Sequence, residues 1–211
     1  MRTILVINPK GGCGKTTIST NLAGYYANKD ISVTLVDLDE QQSSFMWGKN
    51  RRANAPKIDV VNSLQESYST RRVIYDCPAQ IQIDKTSELI NQSDVIIVPI
   101  NPSLIDQWAA FKFVLDIHNL YRANKCKRIR IGFVANRVNA SFNTYKELNN
   151  FVDLMKTPLI TSLRNSQNYV SGIVNGMSIF DMPESVVGRD KKQWQPLTYW
   201  AEGKHLKVKA S

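Results

Sequence analysis

The chain has 211 residues, 43% of them hydrophobic, with a formal net charge of +9 and a pI near 9.5. That length suits one substantial core, no apolar run reaches the roughly 18–20 residues that span a bilayer, and the short apolar run near the N-terminus reads as a buried strand rather than a leader. A cytoplasmic protein is expected, with a basic balance that favours polyanion partners such as nucleic acid or an anionic membrane.

The elements alternate along the chain. Thr3–Asn8 reads as an apolar strand. Lys15–Asn28 reads as a helix, with Ile18, Leu22 and Tyr25 at helical spacing. Strand Ile31–Asp37 follows, then a helix over Ser43–Arg52 and a short strand at Ile58–Val61. Val73–Asp76 and Asp94–Ile100 are strands, Leu104–Ala123 is a long helix, and Ile129–Ala135 is a strand. A further helix is expected within Asn143–Met155 and a short strand near Leu159–Ile160, with helical and irregular chain beyond. Apolar, β-branched strands between helices predict an α/β fold: a mostly parallel central sheet covered by helices on both faces. No linker divides residues 1–211, so a single domain is expected, with a basic, frayed tail from about Gly203. The three cysteines, Cys13, Cys77 and Cys126, form no CxxC pair, which argues against a disulfide framework or a metal cluster.

The first strand runs into Asn8-Pro9-Lys10-Gly11-Gly12-Cys13-Gly14-Lys15-Thr16-Thr17. Strand, glycine-rich turn and helix form the context of a phosphate-binding loop. Glycines let successive N–H groups turn inward around phosphate oxygens, and the helix adds its positive dipole end. Lys15 can reach the β/γ-phosphates, and Thr16 can offer a hydroxyl to Mg²⁺. ATP is therefore expected along Gly11, Gly12, Cys13, Gly14, Lys15, Thr16 and Thr17. The strict pattern would place glycine at position 9, where this chain has Pro9, and Lys10 is an extra lysine before the double glycine.

That variant resembles the deviant Walker A motif of the ParA/MinD family of ATPases. The resemblance implies that residues 1–211 are a single P-loop ATPase domain. It also implies that Lys10 acts in trans, reaching phosphates bound by the partner in an ATP-bridged homodimer. VDLDEQQSS resembles the family's first switch. It implies that Asp39 positions the attacking water and that Asp37 lies near the loop and Mg²⁺. Glu40 departs from the proline common there. VIYDCPA resembles the second switch, with Asp76 as the Walker B carboxylate on Mg²⁺ and Ala79 in place of a second proline. Asn136-Arg137 resembles the element whose asparagine reads adenine, and Ile179–Ser185 resembles a second adenine-side loop, with Met182 and Pro183 near the base. The segment between Ile58 and Asp76 is shorter than in relatives, and no helix-turn-helix extension precedes the loop.

Within the family, the chain is most similar to small ParA-type partitioning and positioning ATPases, including carboxysome-distributing ones. The resemblance implies Mg²⁺-dependent ATP hydrolysis, non-specific DNA binding, a nucleoid location and stimulation by a ParB-like or McdB-like adaptor protein, to segregate or position a plasmid, chromosome or protein organelle. Candidate DNA-facing cations are Arg164, Arg189, Lys191, Lys192, Lys204, Lys207 and Lys209. A second basic cluster runs through Arg122, Lys125, Lys127, Arg128 and Arg130. The alternative is a membrane-associated, MinD-like positioning ATPase. That branch ends in an amphipathic helix, whereas AEGKHLKVKAS offers only Leu206 and Val208, so no membrane partner is expected. A metal-cluster carrier would need paired cysteines, and a tyrosine kinase on this scaffold a tyrosine-rich tail.

Overall fold

The computed structural model describes residues 1–80, 83–124, 129–139 and 157–204. The strands are β1 (Arg2–Val6), β2 (Val33–Asp37), β3 (Asp59–Val61), β4 (Arg72–Asp76), β5 (Val95–Ile100), β6 (Arg130–Val138) and β7 (Leu159–Arg164). They form one sheet in the order β3-β2-β4-β1-β5-β6-β7, with every pairing parallel. The helices are α1 (Lys15–Ala27), α2 (Ser43–Lys49), α3 (Ile83–Gln92), α4 (Leu104–Asn124), α5 (Gln167–Val174) and α6 (Glu184–Ala201), with a 3₁₀ turn at Ile179–Asp181.

Strand side chains alternate between two apolar layers. Ile4 and Val6 join Leu35 and Ile74 under α1, α2 and α6, where Leu22, Trp47 and Trp194 fill the space. Leu5 and Ile7 join Val73 and Ile96 under α3 and α4, where Ile90, Phe111 and Val114 pack. Because both faces are covered, the central strands read as continuous apolar runs.

The expected elements are present, with small shifts of their ends. β6 continues to Val138 and β7 to Arg164, and α2 stops at Lys49. Helix α3 was not expected: its sequence, IDKTSELINQ, is largely polar, and Ile83, Leu89 and the buried Ile90 seat it on the sheet. Residues 62–71 carry no helix, in line with the short segment there. The helix expected within 143–155 lies outside the described residues, as do Lys125, Cys126, Lys127, Arg128, Lys207 and Lys209.

Asp181, in the loop expected near adenine, is a structural hub. Its carboxylate accepts from Arg51 Nη1 at 3.0 Å, Asn28 Nδ2 at 2.8 Å, Ser178 N at 2.7 Å and Ser178 Oγ at 2.8 Å. Burial alone would raise its pKa, but these donors, Arg51 first, outweigh burial and hold it below the usual carboxylate range. The Arg51–Asp181 pair joins the end of α2 to the 3₁₀ turn, and Asn28 ties that turn to the end of α1. Deleting one partner strands the other charge in the interior. Asp181→Ala is expected to cost about 3–5 kcal/mol, read as a lower urea midpoint at unchanged slope. A loss below about 1 kcal/mol would show that the pair is solvated rather than structural.

Candidate nucleotide site

The register sets the site. Val6, Asp37 and Asp76 end adjacent strands side by side: Val6 pairs with Asp76, and Asp76 with Asp37. The loop of residues 8–14 leaves β1 at this edge and enters α1, so both carboxylates meet it. Ligands of open parallel sheets bind in the crevice outside these strand ends.

Asn8 starts the turn. Its Nδ2 donates to Pro99 O at 2.6 Å, and its Oδ1 accepts from Lys10 N at 2.9 Å, the pattern of an Asx-turn. Gly12 and Gly14 have φ of 72° and 98°, which only glycine adopts readily. Lys15 is buried, and its ammonium donates to Asn8 O at 3.2 Å and Lys10 O at 3.0 Å. It thus sits inside the curve of the loop. Among the described residues, the Lys10 ammonium makes no hydrogen bond or ion pair. The Cys13 thiol is buried and donates to Lys10 O; burial pushes its pKa up, so it stays a neutral thiol.

Asp37 is buried and accepts from Asp39 N at 3.0 Å and Phe45 N at 2.8 Å. It therefore ties down the turn from Asp39 to Phe45. Asp39 is half-exposed, and its Oδ1 accepts from Gln41 N at 3.0 Å. Asp76 Oδ1 accepts from Ser19 Oγ at 3.2 Å, while Oδ2 is buried with no hydrogen-bond donor. An orphaned carboxylate oxygen beside Thr16 and Asp37 fits a Mg²⁺ ion, which takes one or two carboxylates and completes its shell with phosphate and water. No cluster of three or more acidic, histidine or cysteine ligands exists among the described residues, so a fully protein-caged metal does not fit. The segment after Asp76 lies against the loop: Gln80 N donates to Pro9 O at 2.8 Å, and a Cβ at Gly11 would stand 3.9 Å from that of Ala79.

A cleft of about 240 Å³ opens beyond Thr17, walled by Asn136, Arg137, Asn165, Ser166, Tyr169 and Ile173. Asn136 is buried and donates from Nδ2 to Cys13 O at 2.9 Å. Arg137 is exposed, with φ of 55°. Met182 and Pro183 are not part of this wall. Met182 is buried in the core, and Pro183 caps α6. The β7–α5 turn, marked in the sequence by the Ser166 cap of α5 bonded to Asn168 N, forms that part of the wall. Asn8 and Ser19 were also missed, although Asn before Pro-Lys and a serine one turn after Lys15 are readable signals.

The candidate DNA cations divide. Arg164 donates to Asp190 at 2.6 and 3.0 Å and lines the cleft, and Lys191 donates to Met182 O at 2.9 Å and sits 3.4 Å from Glu184. Their charges are committed within the chain. Arg189, Lys192 and Lys204 are exposed.

Burial pushes the Asp76 carboxyl up to about 7, and Asp37 adds to the rise, while the Thr16, Ser44 and Ser19 hydroxyls draw it down. The unfolded chain ionises this group first, near pH 4. Asp76 therefore favours folding at acid pH, and that contribution is lost as pH rises from about 4 to about 7. Without nucleotide or Mg²⁺, Asp76→Asn is expected to raise stability at pH 8 by about 1–3 kcal/mol, with the gain shrinking toward pH 5. Thermal melts across that range check it; a loss at pH 8 would contradict the assignment.

Residues 4–179 match the family model described as the CobQ/CobB/MinD/ParA nucleotide binding domain. The maintenance of carboxysome distribution protein A of Halothiobacillus neapolitanus is 29% identical over 191 residues, 85% of this chain and 87% of that protein. A Cyanothece McdA variant, solved as its ATP complex, superposes with a TM-score of 0.74 at 16% identity over 99% of both chains. The MinD cell division protein of Aquifex aeolicus gives 0.76 at 16% identity over 99% of this chain and 100% of that one. A loop, two carboxylates and a sheet order of this kind thus come with a match over most of the chain's length, and the chain belongs to the CobQ/CobB/MinD/ParA nucleotide-binding family.

Proposed function

We propose that the chain is a ParA-type ATPase that closes as a homodimer around ATP, holds non-specific DNA, and hydrolyses ATP when an adaptor protein stimulates it, so positioning a cargo. The observation that carries the reading is the loop itself: Lys15 sits inside its curve, while Lys10 stands at its lip with an uncommitted ammonium. The 29% identity to a carboxysome distribution protein favours a protein organelle as cargo, with a McdB-like adaptor.

The residues divide the work. The loop N–H groups from Gly11 to Thr17 hold phosphate oxygens, and Lys15 turns its ammonium from the two carbonyls to the β/γ-phosphates. Thr16 and Asp76 would hold a magnesium ion, which would supply neutralisation of phosphate charge. Asp39 orients the attacking water at the rim, where the switch can move. Lys10 reaches the partner's phosphates, so charge stabilisation is complete only in the dimer. Arg189, Lys192 and Lys204 meet DNA phosphates without base readout.

Binding to random-sequence duplex DNA over a salt series, with ATP, ADP or no nucleotide, tests the reading. DNA binding is expected with ATP alone and should weaken steeply with salt. Loss of DNA binding under all three conditions, in protein that hydrolyses ATP, would remove the DNA arm; anionic liposomes then test the membrane-associated alternative. Asp39→Ala is expected to retain ATP affinity while its turnover falls by about 10²-fold or more. Unchanged turnover would remove Asp39 from the water site.

A further inference from the structure

We infer that Ser44 is a positioning residue of the candidate magnesium site, acting through Asp76; this rests on the ATPase reading above and deepens it. Ser44 lies in the first turn of α2. It is fully buried, and its Oγ has no hydrogen-bond partner. Asp76 Oδ2 is the complementary case, a buried acceptor without a donor. Buried polar atoms left unpaired are rare in native folds, and each calls for a physical reason. Here a donor and an acceptor are left unpaired in the same place.

The sheet brings them together. Asp37 and Asp76 are paired across β2 and β4, and Asp37 Oδ2 accepts from Phe45 N at 2.8 Å. That bond pins the residue next to Ser44 at the carboxylate edge. Ser44 and Trp47, one turn apart, are the buried residues of α2, so the hydroxyl shares the inward face with the indole. On the other side, Ser19 of α1 donates to Asp76 Oδ1 at 3.2 Å. Asp76 thus lies between α1 and α2, with a serine on each. The Ser44 hydroxyl is near enough to favour the ionised carboxylate, yet stands outside hydrogen-bond geometry. A modest adjustment of the Ser44 side chain closes the bond. A carboxylate oxygen has two lone pairs, so Ser44 can occupy one and leave the other for a metal ion or its water. The hydroxyl then fixes which way Asp76 faces. It also ties α2, the helix that follows Asp39, to that carboxylate.

A serine of merely structural use would alter stability and leave the magnesium requirement alone. Binding of a non-hydrolysable ATP analogue is measured in EDTA and over a MgCl₂ series, for the full chain and for Ser44→Ala and Ser44→Thr, with thermal melts confirming the fold. Ser44→Ala is expected to raise the Mg²⁺ concentration needed for half-maximal strengthening by about tenfold, while affinity in EDTA stays within about twofold. Ser44→Thr, which keeps the hydroxyl, is expected to restore the requirement to within about threefold of the unsubstituted chain. On an Asp76→Asn background, Ser44→Ala is expected to shift it by less than about twofold, as action through Asp76 demands. An unchanged Mg²⁺ requirement in Ser44→Ala would overturn the inference. Equal weakening in EDTA and in Mg²⁺ would overturn it in favour of a general structural role. If Ser44→Thr fails to fold, the alanine variant and the Asp76→Asn background decide. If the unsubstituted chain binds the analogue neither in EDTA nor in Mg²⁺, the ATPase reading itself fails, which is a distinct outcome.

Discussion

Everything at the site depends on three parallel strands ending level with one another. β1, β4 and β2 are held in a register that sets Val6 beside Asp76 and Asp76 beside Asp37. Slipping one strand by a single residue would send its alternating side chains to the opposite layer, so the two apolar cores enforce that register. The loop, the helix it opens and the two switches then share one edge.

That arrangement concentrates opposing charges under low solvent access. Asp37 and Asp76 are buried next to each other, and the main chain and Ser19 offer them only partial compensation. A buried carboxylate with an orphaned oxygen disfavours its own charged form. A divalent cation beside it would reverse that preference. Lys15, held by two carbonyls, is the positive counterpart on the other side of the loop. Such a site trades stability for function, as strained sites commonly do.

Most of the architecture was legible in the sequence because the strands are long apolar runs and the loop has a fixed relation to strand and helix. That Lys15 opens a helix and that Asp37 and Asp76 end strands could be read from pattern alone. The surroundings of Met182 and Pro183 were less legible. Met182 and Pro183 follow an apolar stretch that proves to be core and helix cap, and nothing local distinguishes a methionine beside a ligand from one packed under α5. The short, largely polar α3 carries its apolar face on only three residues, Ile83, Leu89 and Ile90, a pattern easily passed over in so short a segment. The pairing of Arg164 with Asp190 joins residues 26 positions apart across β7 and α6, and a list of late basic residues could not anticipate it. Nor could Asn136 be tied to Cys13, since that contact spans 123 positions.

Lys10 remains the feature that distinguishes this loop from an ordinary phosphate loop. The most direct measurement is the molar mass in solution by light scattering, with and without ATP, for the unsubstituted chain and for Lys10→Ala, alongside nucleotide affinity. The account predicts that ATP doubles the mass of the unsubstituted protein, while Lys10→Ala retains ATP affinity within a few-fold and stays monomeric. A Lys10→Ala variant that dimerises normally with ATP would contradict it.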